Sequence, residues 1–101
     1  MAKRSGYRQT CHDKAVSRSA GQLMSYGWKV AADISGYPKP PTFTIDGVTK
    51  RPDIVAKKGR EMQIIEWETP ESVTKDQEQH HVLRIWARRN GAHFHLRVCD
   101  V

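Results

Sequence analysis

Apolar residues recur with a helical period in two segments of the chain. In the first, residues 12–26, they follow the i, i+4, i+7, i+8 spacing of one helix face: Val16, Ala20, Leu23 and Met24. Gly27 predicts the end of this helix. The second helix is predicted over residues 73–89, after a segment that combines an early proline, capping hydroxyls and acidic side chains. Its apolar stripe consists of Val82, Leu83, Trp86 and Ala87.

Alternating apolar and polar positions, rich in β-branched and aromatic residues, predict the strands. The predicted strands are residues 28–34, 48–56, 61–67 and 92–98. Asp46-Gly47 is a hairpin-turn signal that leads into the second strand, and a basic turn joins the second strand to the third as a β-hairpin. The order α-β-β-β-α-β predicts an α/β domain with a single mixed sheet of about four strands and a helix packed on each side.

Length and composition predict one small intracellular domain. The 101 residues suit a single core, with residues 1–11 as a basic flexible arm and residues 12–101 as the domain. No apolar run approaches the ~20 residues that a membrane span requires, and the start of the chain does not resemble a secretory signal. We therefore expect a cytoplasmic protein, encoded by a cell, a phage or a virus, without membrane contact. Cys11 and Cys99 are too few for a disulfide scaffold and are expected to be free thiols.

The charge of the chain favours a polyanionic partner. It has 17 Lys and Arg against 11 Asp and Glu, a formal net charge of +6 and a pI near 9.6. The basic residues are grouped near the start, around the second predicted strand and on the second helix: Lys3, Arg4, Arg8, Lys14, Arg18; Lys50, Arg51, Lys57, Lys58, Arg60; Arg84, Arg88, Arg89. Nucleic acid is the commonest partner of such clusters, and a basic protein with no such partner is the alternative.

Three carboxylates lie on the two strands of the predicted hairpin. Asp53 is on the first strand. Glu66 and Glu68 are two positions apart on the second strand, so the side chains of these two glutamates share one face. Like charges on a half-buried face raise each other's pKa unless a cation lies beside them. Carboxylate oxygens suit Mg²⁺ or Mn²⁺, and the pattern therefore indicates a metal site.

These residues, and the order of the elements around them, resemble the PD-(D/E)XK nuclease superfamily, which includes small restriction-endonuclease-like and Holliday-junction-resolvase-like domains. Pro52-Asp53 matches the PD, and Glu66-Trp67-Glu68 matches the (D/E)XK triplet. The resemblance covers nearly the whole chain after the predicted arm, although its motifs are short and degenerate.

The resemblance implies a Mg²⁺- or Mn²⁺-dependent deoxyribonuclease. Asp53 and Glu66, with the backbone carbonyl of Trp67, would be the metal ligands, and the metal would activate water for attack on a DNA phosphodiester. The DNA substrate would be linear, or branched or structured. Basic residues would contact its phosphates: Lys50, Arg51, Lys57, Lys58, Arg60, Arg84 and Arg88. Small members of the superfamily act as dimers, so a homodimer is expected.

The chain departs from the superfamily at Glu68, which occupies the position of the motif lysine. Another basic residue can supply the missing cation, with Lys75 as the first choice and Lys50 or Lys57 as the next. Alternatively, Glu68 is a third metal ligand or a general base. In the third interpretation the fold is kept as a catalytically inactive nucleic-acid-binding module.

Further side chains are weaker candidates. Gln79 on the second helix matches a glutamine that several members contribute to the site, and it is better placed than Gln77. Asp13 can fill the role of an acidic residue on the first helix, but complementing the helix dipole in the first turn is the preferred interpretation. His80 and His81 point about 100° apart on a helix and are interpreted as surface or boundary residues.

The large aromatic side chains are interpreted as core residues, with stacking on nucleic-acid bases as the alternative. Trp28, Trp67 and Trp86 occupy strand and helix-stripe positions, where a small chain needs apolar volume.

A rival hypothesis for the function is a structural or protein-interaction domain, which predicts that Asp53, Glu66 and Glu68 are dispersed or salt-bridged to lysines.

Overall fold

The computed structural model describes residues 6–99, with side chains from Thr10 onward. The elements in chain order are α1 (Gly6–Ser25), β1 (Lys29–Ala32), β2 (Phe43–Ile45), β3 (Val48–Lys50), β4 (Ile54–Lys58), β5 (Glu61–Glu68), α2 (Ser72–Lys75), α3 (Gln77–Asn90) and β6 (His93–Val98). Four of the strands form one sheet in the order β1-β4-β5-β6, and β2 and β3 form a separate hairpin. The sheet is mixed because β5 and β6 are parallel, whereas the other two pairs are antiparallel. The predicted α/β fold class is confirmed.

Each face of the sheet packs against one helix. Ile54 lies opposite Ile65 in the register, and both pack under the apolar stripe of α1. Val55 lies opposite Ile64, and both pack against α3. Since successive side chains of a strand alternate between faces, Glu66 continues the face of Ile64. The carboxylates at the end of β5 are thereby directed toward α3.

The first helix begins at Gly6, earlier than predicted. Residues 6–11 of the expected flexible arm therefore belong to α1, and residues 1–5 of that arm lie outside the described part of the chain. Glycine is costly in a helix interior, but Gly6 is the first residue of the helix, where that cost is smaller. Neither α1 nor another helix among residues 6–99 is both long and apolar enough to cross a membrane.

Residues 48–56 do not form one strand. The Asp46-Gly47 turn, with positive φ at both residues, closes the short β2–β3 hairpin as predicted, but the chain then leaves this hairpin before β4 begins. Pro52 has no N–H to donate to a sheet, and the N–H of Asp53 donates to the side chain of Glu66. Neither Pro52 nor Asp53 therefore has a backbone N–H available for a neighbouring strand, and the chain bends here between β3 and β4.

The second predicted helix is divided at Asp76. Asp76 has φ −99° and ψ 31°, which lies outside the helical region, and its carbonyl accepts the N–H of His80 at 3.1 Å as α3 begins. The result is one turn of helix, α2, followed by α3. The predicted end is confirmed, because Gly91 adopts a left-handed conformation and caps α3.

Candidate metal centre

The β4–β5 pair brings Asp53 and Glu66 together. Asp53 directly precedes β4, and the register places Ile54 opposite Ile65, so Asp53 is level with Glu66. The backbone N–H of Asp53 donates to Oε1 of Glu66 over 2.7 Å. The two motif residues, as distinct from their carboxylates, are therefore neighbours at one end of the sheet, as the sequence predicts.

Glu66 is buried in a polar cage. It is 1 % exposed, and its Oε2 accepts a 2.7 Å hydrogen bond from Nε2 of Gln79. Burial, and then the charge of Asp53, raise the pKa of Glu66 to about 9, with a smaller contribution from Glu68. At neutral pH and without a bound cation this carboxyl group holds a proton. The structure thus places Gln79, on the first turn of α3, at the site.

Glu68 is held by two side chains that follow it in the sequence. It is 1 % exposed, with Oε1 3.0 Å from Nε2 of His80, and its Oε2 accepts a hydrogen bond from the hydroxyl of Ser72. The interpretation of His80 as a surface or boundary residue is wrong, because its ring is buried between α3 and β5. His80 lies three and seven positions before Leu83 and Ala87, so it belongs to the apolar stripe of α3. That spacing was the signal for its burial.

Glu66, Glu68 and His80 form a group that could hold a metal ion. One ligand atom from each residue lies within 4.8 Å of the others, and all three side chains are buried. Carboxylates suit hard divalent cations, and imidazole is a common ligand of transition metals. A carboxyl group whose pKa is raised by burial and by neighbouring carboxylates also fits a cation, since a cation would replace the bound proton and offset the negative charge.

The carboxylate of Asp53 points away from this group and toward α1. Its Oδ2 accepts the backbone N–H of Trp67 at 2.9 Å and lies 3.1 Å from Nε2 of His12. The other ring nitrogen of His12, Nδ1, lies 3.2 Å from Oδ1 of Asp13. Asp13 is thus beyond the first turn of α1 and contacts His12, contrary to its interpretation as a first-turn residue. Asp53 adjoins the Glu66, Glu68 and His80 group without belonging to it.

Sequence reasoning missed His12, although a signal for it exists. His12 is four and eight positions before Val16 and Ala20, which are the buried residues of α1, and it is itself 5 % exposed. A histidine in the apolar stripe of a helix is buried, and a buried imidazole needs partners for its ring nitrogens. Asp53 and Asp13 are those partners.

The backbone of Trp67 faces the same edge as Asp53. In a strand the N–H and the C=O of one residue point to the same side, and the N–H of Trp67 donates to Asp53. The carbonyl of Trp67, which the resemblance implies as a ligand, is therefore directed toward the side of Asp53. The indole lies on the opposite sheet face from Glu66, packed against the core below α1.

The cation predicted to replace the motif lysine is not found in contact with the carboxylates. Lys75 is exposed at the end of α2 and makes no hydrogen bond or ion pair within the described part of the chain. Lys50 pairs with Glu78, whose Oε1 is 3.1 Å from its Nζ. His12 and His80 are the cation-forming side chains that contact Asp53 and Glu68.

The predicted DNA-contacting residues fall in three places. Arg51 is next to the site, since its carbonyl accepts a 3.3 Å hydrogen bond from Gln79. Arg84 and Arg88 are exposed on α3. The basic turn of Lys57, Lys58 and Arg60 lies at the opposite end of the β4–β5 hairpin from Asp53, and Lys57 alone is already about 13 Å away at ~3.3 Å per residue. The structure does not bring the basic turn to the carboxylates.

Comparison of the sequence with protein-family models and with curated proteins finds no match. The function must therefore be inferred from the fold and from the side chains of this site.

Proposed function

We propose that the protein is a divalent-metal-dependent nuclease that hydrolyses phosphodiester bonds of DNA. The observation that carries the proposal is the meeting of Asp53 with the Glu66, Glu68 and His80 group at one end of the mixed sheet. The resemblance of Pro52-Asp53 and of the Glu66 to Glu68 triplet to the PD-(D/E)XK motifs supports the same function. The net charge of +6 is favourable for a polyanionic substrate.

Glu66, Glu68 and His80 would hold the metal, and Mg²⁺ or Mn²⁺ is the proposed ion. The imidazole in this set favours Mn²⁺ over Mg²⁺, because Mg²⁺ prefers ligand sets made of oxygen alone. A bound dication would supply an activated water and neutralise charge on the phosphate.

Other side chains of the chain position the ligands. Gln79 donates to Glu66 and fixes the plane of its carboxylate. Ser72 does the same for Glu68. His12 and the N–H of Trp67 hold Asp53 at the margin of the site, where its carboxylate can accept a proton or join the metal sphere through water.

The basic residues near the site and on α3 would contact the DNA backbone. Arg51 is exposed beside Gln79, and Arg84 and Arg88 lie on the same helix as Gln79 and His80. One domain of this size covers a short stretch of one strand, so we propose that two copies act together on a duplex or branched substrate.

A catalytically inactive nucleic-acid-binding module is the second candidate. It is favoured by one observation, that Glu68 occupies the place of the motif lysine and is already held by Ser72 and His80. Both candidates predict salt-dependent DNA binding. Metal-dependent cleavage distinguishes them.

The test is to incubate the purified protein with labelled duplex, single-stranded and branched DNA in the presence of Mg²⁺, Mn²⁺ or chelator. Glu66→Gln and Asp53→Asn are the test variants, and Glu61→Gln is the matched control because Glu61 is exposed on the same strand. The nuclease proposal requires cleavage that depends on the metal, persists in Glu61→Gln and is lost in both test variants. DNA binding without cleavage under every metal condition would instead favour the inactive module.

A further inference from the structure

A groove runs along one side of α1, on the sheet face opposite Glu66. It consists of two adjoining cavities of about 440 and 460 Å³, and both are lined by Ala15, Arg18 and Trp67. The floor is formed by the ends of β5 and β6 that α1 leaves uncovered, including Gln63 and Arg97. This groove has no part in holding the proposed metal.

One stripe of α1 forms the wall of the groove over most of the helix. Lining residues recur at intervals of four positions: Thr10, Lys14, Arg18 and Gln22. From the first to the last of these positions the helix rises ~18 Å at ~1.5 Å per residue. That length matches about five nucleotides at the ~3.4 Å spacing of stacked bases in a strand.

The charged residues that line the groove, within the described part of the chain, are all basic. Lys14, Arg18 and Arg97 are exposed, and none of them makes an ion pair within residues 6–99. Of the described residues that line either cavity, none is an aspartate or a glutamate. The positive charge of Arg97 also contributes, after burial, to the lowered pKa of the neighbouring His95. The groove is therefore complementary to a chain of negative charges.

Aromatic rings lie in the middle of the groove and at one end of it. Trp67 lines both cavities, and Tyr26 and Trp28 line the cavity that contains Arg97. Tyr26 is 64 % exposed, so its ring is accessible to a ligand. The ammonium of Lys58 donates to the carbonyl of Tyr26 at 2.8 Å and lies 6.0 Å from the centre of the Trp28 ring, so this end also carries positive charge.

We propose that this groove binds an unpaired segment of a nucleic-acid strand. A basic groove with aromatic rings is the usual platform for single strands, whose phosphates meet the cations while the bases stack on the rings. A duplex does not present the faces of its bases to such rings. An acidic peptide would pair with the basic side chains, but it would not supply planar groups that stack on the aromatic rings.

The inference rests on the proposed function, because Trp67, which lines both cavities, donates its backbone N–H to Asp53. A strand lying in the groove would lead toward the carboxylates from the α1 side. The substrate class would then be DNA with an unpaired segment, such as a flap, a gap or a branch point.

The experiment measures binding with catalysis excluded. Fluorescence anisotropy with a labelled oligo(dT) of about 12 nucleotides, in chelator, is compared with a duplex of the same length and with poly-glutamate as competitor. The test variant is Arg18→Gln/Arg97→Gln, and the matched control is Lys29→Gln/Lys39→Gln, two exposed lysines that line neither cavity. Circular dichroism and thermal melting verify that both double variants are folded.

We expect the test variant to bind oligo(dT) at least about tenfold more weakly and to lower the salt slope by about 1.4, from ~0.7 for each lost phosphate contact. The control should change the affinity by less than about twofold. Any one of three results would overturn the proposal. The test variant and the wild type bind oligo(dT) equally, the wild type binds the duplex more tightly than oligo(dT), or poly-glutamate displaces oligo(dT) when both carry the same total charge.

The two proposals fail separately. If oligo(dT) binds in the groove but no metal supports cleavage, the nuclease proposal is contradicted and the groove proposal is retained. If metal-dependent cleavage is observed and Arg18→Gln/Arg97→Gln does not affect it, the groove proposal is contradicted and the nuclease proposal is retained.

Discussion

The backbone N–H of Asp53 donates to the buried carboxyl group of Glu66 over 2.7 Å, so the bend before β4 and the end of β5 depend on each other. Pro52 cannot donate a hydrogen bond, and Asp53 directs its own N–H to a side chain instead of to a neighbouring strand. The Asp53 carboxylate is thereby turned to His12 and Trp67. Two backbone N–H groups thus link the motif segments, since that of Asp53 donates to Glu66 and that of Trp67 donates to Asp53. The Asp53 carboxylate contacts His12 on α1, whereas that of Glu66 contacts Gln79 on α3.

The first prediction concerns Glu66 and pH. The pKa of Glu66 is about 9 in the folded protein against 4.5 in its ordinary state, so between these two values the folded state holds a proton that the unfolded state has lost. The contribution of Glu66 to the free energy of unfolding therefore falls as the pH rises from 4.5 to about 9. The slope of this fall is at most about 1.4 kcal/mol per pH unit. Below pH 4.5 and above pH 9 this slope vanishes. Glu66→Gln removes the titrating group, so it should be increasingly stable relative to the wild type across that range.

Urea unfolding of both proteins at pH 5, 7 and 9, in chelator, measures this difference. Glu61→Gln is the control, because Glu61 is exposed on the same strand. A stability difference between Glu66→Gln and the wild type that stays constant from pH 5 to pH 9 would contradict the assigned pKa.

The second prediction concerns proton release on metal binding. Because Glu66 holds a proton at pH 7, a dication that binds there must displace it. Calorimetric titration with Mn²⁺ in two buffers of different ionisation enthalpy should show release of about one proton at pH 7, and the apparent affinity should rise with pH up to about 9. In Glu66→Gln the proton release should disappear together with most of the affinity. Tight binding with no proton release would place the metal away from Glu66.

The helical period of apolar positions is enough to predict the flanking helices, and their alternation is enough to predict the main sheet and the proximity of Asp53 to Glu66. Neither pattern is enough to predict the bend at Pro52 and Asp53, since that depends on where one backbone N–H finds a tertiary acceptor. His12 and His80 were missed for a related reason. Each continues an apolar stripe by spacing, but its polar partner lies on another element, so a reading of each helix alone shows only a histidine near the surface. The sequence shows the surplus of basic charge, but its distribution in space depends on the topology. The turn at Lys57 to Arg60 lies at the far end of the hairpin, and Arg18 and Arg97 line the same cavity.

The third prediction concerns His80. Whether its imidazole binds the metal directly or orients Glu68, His80→Asn should lower the affinity for Mn²⁺ by about 10- to 100-fold. His81→Asn is the matched control, since His81 is the next residue of α3 and is exposed. Equal Mn²⁺ affinities for the two variants, both folded, would remove His80 from the metal site.

The fourth prediction concerns Gln79. Its amide donates to Oε2 of Glu66 at 2.7 Å and to the carbonyl of Arg51 at 3.3 Å. Gln79→Ala would leave the buried Glu66 oxygen without this donor and should lower the free energy of unfolding by about 1–3 kcal/mol. Gln77→Ala, an exposed glutamine on the same helix, should change it by less than about 0.5 kcal/mol. Chemical denaturation at pH 7 measures both, and equal effects of the two substitutions would show that the Gln79 hydrogen bond does not contribute.

The last prediction separates two candidates for the cation at the site. Lys75 was the first choice from the sequence, but it is exposed and has no polar contact within residues 6–99. His12 is buried, with Nε2 3.1 Å from Asp53 and Nδ1 3.2 Å from Asp13. If the protein cleaves DNA, Lys75→Ala should leave the rate within about twofold of the wild type, as expected for an exposed side chain. His12→Gln should lower it by about 10- to 100-fold, the usual effect of losing a residue that orients a group at a metal site. Single-turnover cleavage with Mn²⁺ measures both rates. A large loss in Lys75→Ala with little change in His12→Gln would mean that the lysine reaches the substrate when DNA is bound, and that the histidine only packs α1 against the sheet.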